Sequence, residues 1–304
     1  MKRASLCAWG TFGALGMALA QCALGQGVST ELHGSHDSDG LDQRALTVAA
    51  ATAEGWGIRA TAARYTAPGG WSEDGRVLAA TYQRASDSAR FDAAAGLARI
   101  GRHDRLVGSI DVLQPVGAAG TSSLGFSAQR QMLDSRAGID AGLTYESGVL
   151  VADHAFSPRF NLGVAAGATW FSDGNRRPLL RTRWNYSVRD DMGLNAYVKT
   201  RSYQNSDPYR PEYFSPERLN EVSLGLSSRV AANGTVVSAA LDAGSQHTEL
   251  DVEPIWSLSL GVSSPRKARV QWSLVAQTAH TAALLRSTST YRYSSITGRI
   301  SVPL

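Results

Sequence analysis

The chain has 304 residues, 18% of them charged, and a formal net charge of +4. Its mean hydropathy is slightly negative, and no run approaches the eighteen or so apolar residues of a spanning helix, which argues against a helical membrane protein. Cys7 and Cys22 are the two cysteines, both near the amino-terminal end, so an internal disulfide framework and a Cys/His zinc centre are excluded.

Met1-Lys2-Arg3 is a basic start, followed by an apolar stretch from Leu6 to Ala20 with an A-x-A site at Ala18-Leu19-Ala20. This layout predicts a secretory signal over 1–25, cleaved after Ala20 or after Gly25. Gln21 precedes Cys22, where a lipoprotein signal would need a small residue, so lipidation is not expected. Loss of Lys2 and Arg3 with the signal lowers the net charge from +4 to +2. The remaining arginines are spread along the chain without a basic block, and no nucleic-acid partner is expected.

From residue 26 onward the chain alternates apolar and polar in segments of about ten residues. Candidate strands fall at 27–36, 44–53, 56–66, 76–85, 90–101, 104–113, 121–131 and 144–155. They continue at 159–171, 178–188, 193–204, 217–231, 234–248, 254–264, 268–279 and 289–302. In 179–188 (LLRTRWNYSV), Leu180, Thr182, Trp184, Tyr186 and Val188 fall on one side, and Arg181, Arg183, Asn185 and Ser187 on the other. Side chains of a strand point to opposite faces with period two. One greasy face and one strongly polar face suit a barrel with lipid outside and water inside. The expectation for 26–304 is therefore an all-β, transmembrane antiparallel β-barrel of about sixteen strands, with twelve to sixteen possible, in a Gram-negative outer membrane.

Ala232-Asn233-Gly234 is a hairpin signal, because Asn-Gly supplies two positive φ values. Ser86-Asp87-Ser88, Ser157-Pro158-Arg159 and 190–193 read as further short turns, and 67–74, 114–120, 132–143 and 204–216 as longer loops. Short turns on one rim and long loops on the other are expected of such barrels. Trp56, Tyr65, Trp71, Trp170, Phe171, Tyr203, Tyr213, Phe214 and Tyr291 mark segment ends, where interfacial girdles are expected. Ser38-Asp39-Gly40 recurs as Ser172-Asp173-Gly174, and Tyr65 as Tyr203, which suggests two related halves.

The run from Trp170 to Arg177 (WFSDGNRR), followed by alternating segments and then Tyr213-Phe214-Ser215-Pro216-Glu217-Arg218, resembles the carboxy-terminal barrels of bacterial exopolysaccharide exporters. These are the outer-membrane secretins of poly-N-acetylglucosamine and cellulose, with their shorter barrel-only relatives. The similarity is best over 157–231. It implies a sixteen-stranded barrel that conducts a linear glycan. Two departures stand out. The exporters carry a tetratricopeptide superhelix ahead of the barrel, whereas strands begin here directly after the leader, leaving a separate periplasmic synthase or scaffold as an expected partner. The chain also ends Pro303-Leu304, without the terminal aromatic that barrel assembly usually reads.

On these strand phases the inward set includes Arg181, Arg183, Asn195, Tyr197, Lys199, Arg201, Tyr203 and Arg229, joined by Glu221, Asp242, Gln271 and Gln277. Such side chains offer the paired donors and acceptors that sugars take, and the first eight are the candidate glycan contacts. An Arg in place of Val198 is expected to impair assembly, and a Gln in place of Lys199 to leave it intact. Two other functions stay open. One is a plugged accessory barrel, with a loop such as 132–143 folded inward. The other is a lipid-modifying enzyme, but no serine lies in a G-x-S-x-G setting, and His33 and His36 fall on opposite faces. Catalytic residues, a bound metal and a cofactor are not expected, and lipid is the expected surrounding partner.

Overall fold

A computed structural model describes residues 26–86, 88–117, 121–281 and 291–304. The expected signal over 1–25 lies outside the described residues. The alternating segments all become strands. The first are β1 (Gly27–Asp37), β2 (Asp42–Ala51), β3 (Trp56–Ala67), β4 (Trp71–Ala85) and β5 (Arg90–Ile100). Then come β6 (His103–Val116), β7 (Ser122–Met132), a one-turn helix α1 (Arg136–Ala141), β8 (Thr144–Ala155) and β9 (Phe160–Phe171). Next are β10 (Arg176–Arg189), β11 (Leu194–Gln204), β12 (Arg218–Ala232) and β13 (Thr235–Thr248). β14 (Val252–Ser263), β15 (Gln271–Thr281) and β16 (Tyr291–Pro303) complete the set.

Each strand pairs antiparallel with its sequence neighbours, and β1 pairs with β16 from Gly27↔Pro303 to Asp37↔Tyr293, closing a sixteen-stranded barrel. Closure leaves no strand edge unpaired. Pro303 occupies the last paired position of β16, where a missing ladder donor costs least. Leu304 beyond it donates its backbone N–H to Gln26 O at 3.0 Å.

The two faces separate cleanly. Leu78, Leu97, Leu106, Leu150 and Leu224 lie on the exterior, each more than 60% exposed. A continuous apolar belt of this kind is costly in water, at about 25 cal/mol per Å², and far exceeds the patches of soluble monomers. The alternate positions face inward and are mostly polar or small.

The rim that holds Gly27 and Pro303, called here the near rim, carries the end of β4 with the start of β5, and the turns at 156–159, 190–193 and 233–234. Asn233 (φ 47°) and Gly234 (φ 75°) make the expected two-residue turn, whose twist matches that of the strands. The far rim carries 133–143 and 205–217. Two loop expectations are corrected. Most of 67–74 belongs to β3 and β4, joined by a turn at 68–70, and 114–116 belongs to β6, which ends on the near rim with the short turns, while 118–120 lies outside the described residues.

The repeated S-D-G segments form equivalent far-rim turns eight strands apart. Asp37 N donates to Leu41 O and Gly40 N to Asp37 O, just as Phe171 N donates to Asn175 O and Gly174 N to Phe171 O. Tyr65 on β3 and Tyr203 on β11 both face inward and are buried, again eight strands apart.

The aromatic girdle differs from expectation. Tyr65, Trp71, Phe171, Tyr203 and Tyr291 share the inward phase of their strands, as the registers show. Of the expected set, Trp170 is outward at the far rim, and the other outward aromatics gather mainly at the near rim. Trp56, Tyr82 and Phe91 form one chain of ring contacts, and Phe156, Phe160 and Trp184 another.

Candidate functional site

The inward residues of β10 to β13 build one strongly charged wall. Arg181 stands opposite Arg201, Arg183 opposite Lys199, and Asn185 opposite Tyr197. The rows continue from Arg201 to Glu221, and from Tyr197 through Gly225 to Asp242. With Arg177 above them, five cations face two carboxylates on this wall.

The carboxylates hold the wall together rather than neutralise it. Arg201 donates to both carboxylate oxygens of Glu221, with Nε to Oε2 at 2.7 Å. Lys199 Nζ lies 2.7 Å from Asp242 Oδ2, which also accepts from Ser257 Oγ at 2.7 Å and Tyr197 OH at 3.2 Å. Gly225 makes this possible. A Cβ there would sit 2.3 Å from Tyr197 Cζ, so the tyrosine ring needs a residue without a side chain beneath it.

Two of the expected contacts are covered. Tyr197 and Tyr203 are only 4% and 9% exposed. The Arg183 guanidinium lies 4.0 Å from the Tyr197 ring centroid, and that of Arg177 lies 4.6 Å from the Tyr203 ring. The rings act as seats for cations, and it is the guanidinium groups that border the lumen. Asn195 and Arg229 face inward near the near rim, away from this wall. Asn195 donates to Gly193 O at 2.9 Å, and Arg229 is exposed.

The two segments that carry the family resemblance meet at the top of the same wall. Asn175, fully buried, donates to Asn205 Oδ1 at 3.1 Å and Tyr213 OH at 2.9 Å. Its side-chain Oδ1 accepts from Asp207 N at 3.0 Å. Tyr213 stacks on Phe171 with ring centroids 4.2 Å apart, and its hydroxyl donates to Asp173 at 3.0 Å. Burial, with the Asp173 carboxylate acting in the same direction, pushes the Tyr213 phenol up. Arg177 ties the knot by donating to Asn205 Oδ1 at 2.8 Å and Phe214 O at 2.6 Å. Both segments are therefore architectural, and they pin 205–217 over the far mouth.

The inward fold that the sequence left open as an alternative for 132–143 is a second feature of that mouth. Loop 133–143 folds inward. Ser135 caps α1 by accepting from Gly138 N at 3.1 Å, and Gly142 closes it in the left-handed region (φ 63°). Ile139 is 1% exposed and packs on Leu41, Tyr65, Ala98, Ile100 and Met132. Trp71 Nε1 donates to Asp140 Oδ1 at 2.8 Å, Arg105 to Gly142 O at 3.1 Å, and Ser135 to Glu212 O in the neighbouring loop. Burial raises the Asp134 carboxyl to about 7, reinforced by the negative charge of Asp37.

Smaller groups complete the lining. Asp92 and Asp111 stand opposite each other on β5 and β6, with Arg90 Nε 2.6 Å from Asp92 Oδ2. His33 faces inward to Thr297, and His36 outward to Asp42. Among the described residues no group of three or more His, Cys, Asp or Glu is placed to hold a metal.

No protein-family model matches the chain, and no curated protein matches it. Solved structures do match, and the fold they define is that of outer-membrane β-barrels. One is a bacterial polysaccharide outer membrane secretin, at TM-score 0.70 and 13% identity, covering 92% of this chain and 99% of that one. CdiB from Acinetobacter baumannii matches at TM-score 0.55 and 9% identity, covering 92% of this chain and 61% of that one. OccK2 (OpdF) from Pseudomonas aeruginosa matches at TM-score 0.50 and 8% identity, over 91% and 97%. At these identities the likeness is one of fold.

Proposed function

We propose that this chain is a pore of the Gram-negative outer membrane, delivered there by the signal at 1–25, and that its lumen passes an exopolysaccharide. The observation that carries the reading is the inward cationic wall of Arg181, Arg183, Lys199 and Arg201 in a barrel of sixteen strands. Barrels of that strand number leave an aqueous channel. A repeated, individually weak lining suits a polymer that must be held and still released. Five cations against two carboxylates favour a glycan bearing carboxylates or other anions over a neutral one. A separate periplasmic synthase or scaffold would deliver the chain to the near rim, since short turns mark the periplasmic side. The reading assigns no catalysis to the barrel.

Single-channel conductance of the refolded protein in a planar bilayer tests this, with acidic and neutral β-linked oligomers added in turn. Stable conductance, blocked more strongly by acidic oligomers, is expected. A silent, heat-modifiable barrel overturns it in favour of a second reading, a plugged accessory barrel. The inward fold of 133–143 onto Tyr65, Ala98 and Ile100 is the specific observation behind that alternative.

A further inference from the structure

The outer surface of the barrel carries its own charge pattern, independent of the lumen. On β2 to β5, near the far rim, four exposed arginines share the outward phase. Arg44 stands directly opposite Arg64, and Arg76 directly opposite Arg99. Like charges directly opposite on a sheet are destabilising, so this arrangement calls for an external anion.

The local acids do not supply it in full. Asp104 engages Arg99 through both carboxylate oxygens at 2.6 Å. Asp74 faces Arg64 in register. Arg44 and Arg76 make no ion pair among the described residues.

The depth of these side chains is fixed by their neighbours. Arg44 is two residues from Leu46, Arg76 two from Leu78, and Arg99 two from Leu97, all exposed leucines of the apolar belt. Two residues of strand advance roughly 7 Å, which takes the guanidinium groups from the edge of the belt to the depth of lipid headgroups. Further round the same rim, Arg130, Arg176, Arg218 and Arg292 are also exposed on outward positions. The near rim is different. Its outward strand positions carry Trp56, Tyr82, Trp184 and Trp272, with Arg84 as an outward cation. Arg159, Arg266 and Lys267 there lie in turns beyond the strands.

We propose that the exterior of β2–β5 at the far rim binds the phosphate groups of lipid headgroups, with Arg44, Arg64, Arg76 and Arg99 as the ligands. Guanidinium groups match phosphate with paired, charge-assisted hydrogen bonds. A phosphate between facing arginines removes their repulsion and anchors the barrel in one leaflet. The site rests on the membrane reading above.

Insertion into phosphatidylcholine vesicles is measured first, without any phosphomonoester lipid. Failure to insert overturns the membrane reading, and this site with it. The purified full-length protein is then examined by native mass spectrometry for retention of phosphatidic acid, of diacylglycerol with the same acyl chains, and of inorganic phosphate. Selective retention of phosphatidic acid is expected. Combined Arg44→Gln, Arg64→Gln, Arg76→Gln and Arg99→Gln substitution should weaken it about tenfold or more, and Arg84→Gln should not. If the combined variant does not fold, Arg44→Gln and Arg76→Gln singly should each weaken retention by a smaller factor. Equal retention of phosphatidic acid and diacylglycerol, displacement by inorganic phosphate at equal concentration, or equal loss in Arg84→Gln would each overturn the site while leaving the membrane reading standing.

Discussion

Lys199 Nζ and Asp242 Oδ2 lie 2.7 Å apart across β11 to β13, on side chains only 11% and 8% exposed. This pair sits inside the cationic wall, and Asp242 has Tyr197 and Ser257 as its other donors. Lys199→Gln leaves the carboxylate buried with neutral partners. Insertion should be retained, because the side chain faces away from lipid. Resistance to unfolding should fall by about 1–3 kcal/mol, less than for a pair in a dry interior because lumen water is near. Urea titration followed by gel mobility checks this. Adding Asp242→Asn should recover part of the loss.

The docked loop 133–143 should make the mouth pH-sensitive. The Asp134 carboxyl, raised to about 7 first by burial and then by Asp37, faces Asp37 from β1, Tyr65 from β3, Tyr145 from β8, and Tyr291 and Tyr293 from β16. Its ordinary value of 3.8 is lower, so the docked loop binds the proton more tightly than the undocked one. Docking is then strongest below that ordinary value and weakens as pH rises through about 7. Conductance should increase between about pH 5 and pH 8, and Asp134→Asn should flatten the dependence. A pH profile unchanged by Asp134→Asn contradicts this assignment.

Much of this barrel was legible in the sequence, because period-two alternation is enforced wherever lipid meets one face and water the other. The phase of 179–188 placed Arg181 and Arg183 on the same side as Lys199 and Arg201, and the registers agree. The start of β4 was not legible. Ser72, Asp74 and Arg76 are outward positions above the apolar belt, so the strand there loses its greasy face and reads as loop. Part of the girdle was misplaced for another reason. Position at a strand end says nothing about which face a ring takes, and Tyr65, Phe171 and Tyr203 take the inner one. The inward fold of 132–143 stood in the sequence only as an alternative, because the residues that hold it, Leu41, Tyr65, Trp71, Ile100 and Arg105, lie far from it in the chain.

Asn175 joins the two resemblance segments, and its loss should loosen the far mouth. Its amide serves Asn205, Tyr213 and Asp207 with no solvent contact. Asn175→Ala leaves at least one of these groups unsatisfied, at a cost of about 1–3 kcal/mol. Amide exchange over 205–217 should quicken while exchange in β10 to β12 stays slow. Uniform protection would mean that Arg177 and the Tyr213–Phe171 stack hold the loop without it.

Val198 decides the phase of the wall from the other side. It lies on the exterior of β11 between Trp184 and Leu224, opposite each in register, one residue from inward Lys199. An Arg at such a position meets hydrocarbon near mid-bilayer, at about 2–4 kcal/mol. Val198→Arg should therefore reduce the heat-modifiable fraction recovered from vesicles, while the neighbouring Lys199→Gln inserts normally. The comparison holds the strand, the depth and nearly the sequence position fixed and changes only the face. If Val198→Arg inserted normally and Lys199→Gln did not, the belt of exposed leucines would be facing something other than lipid.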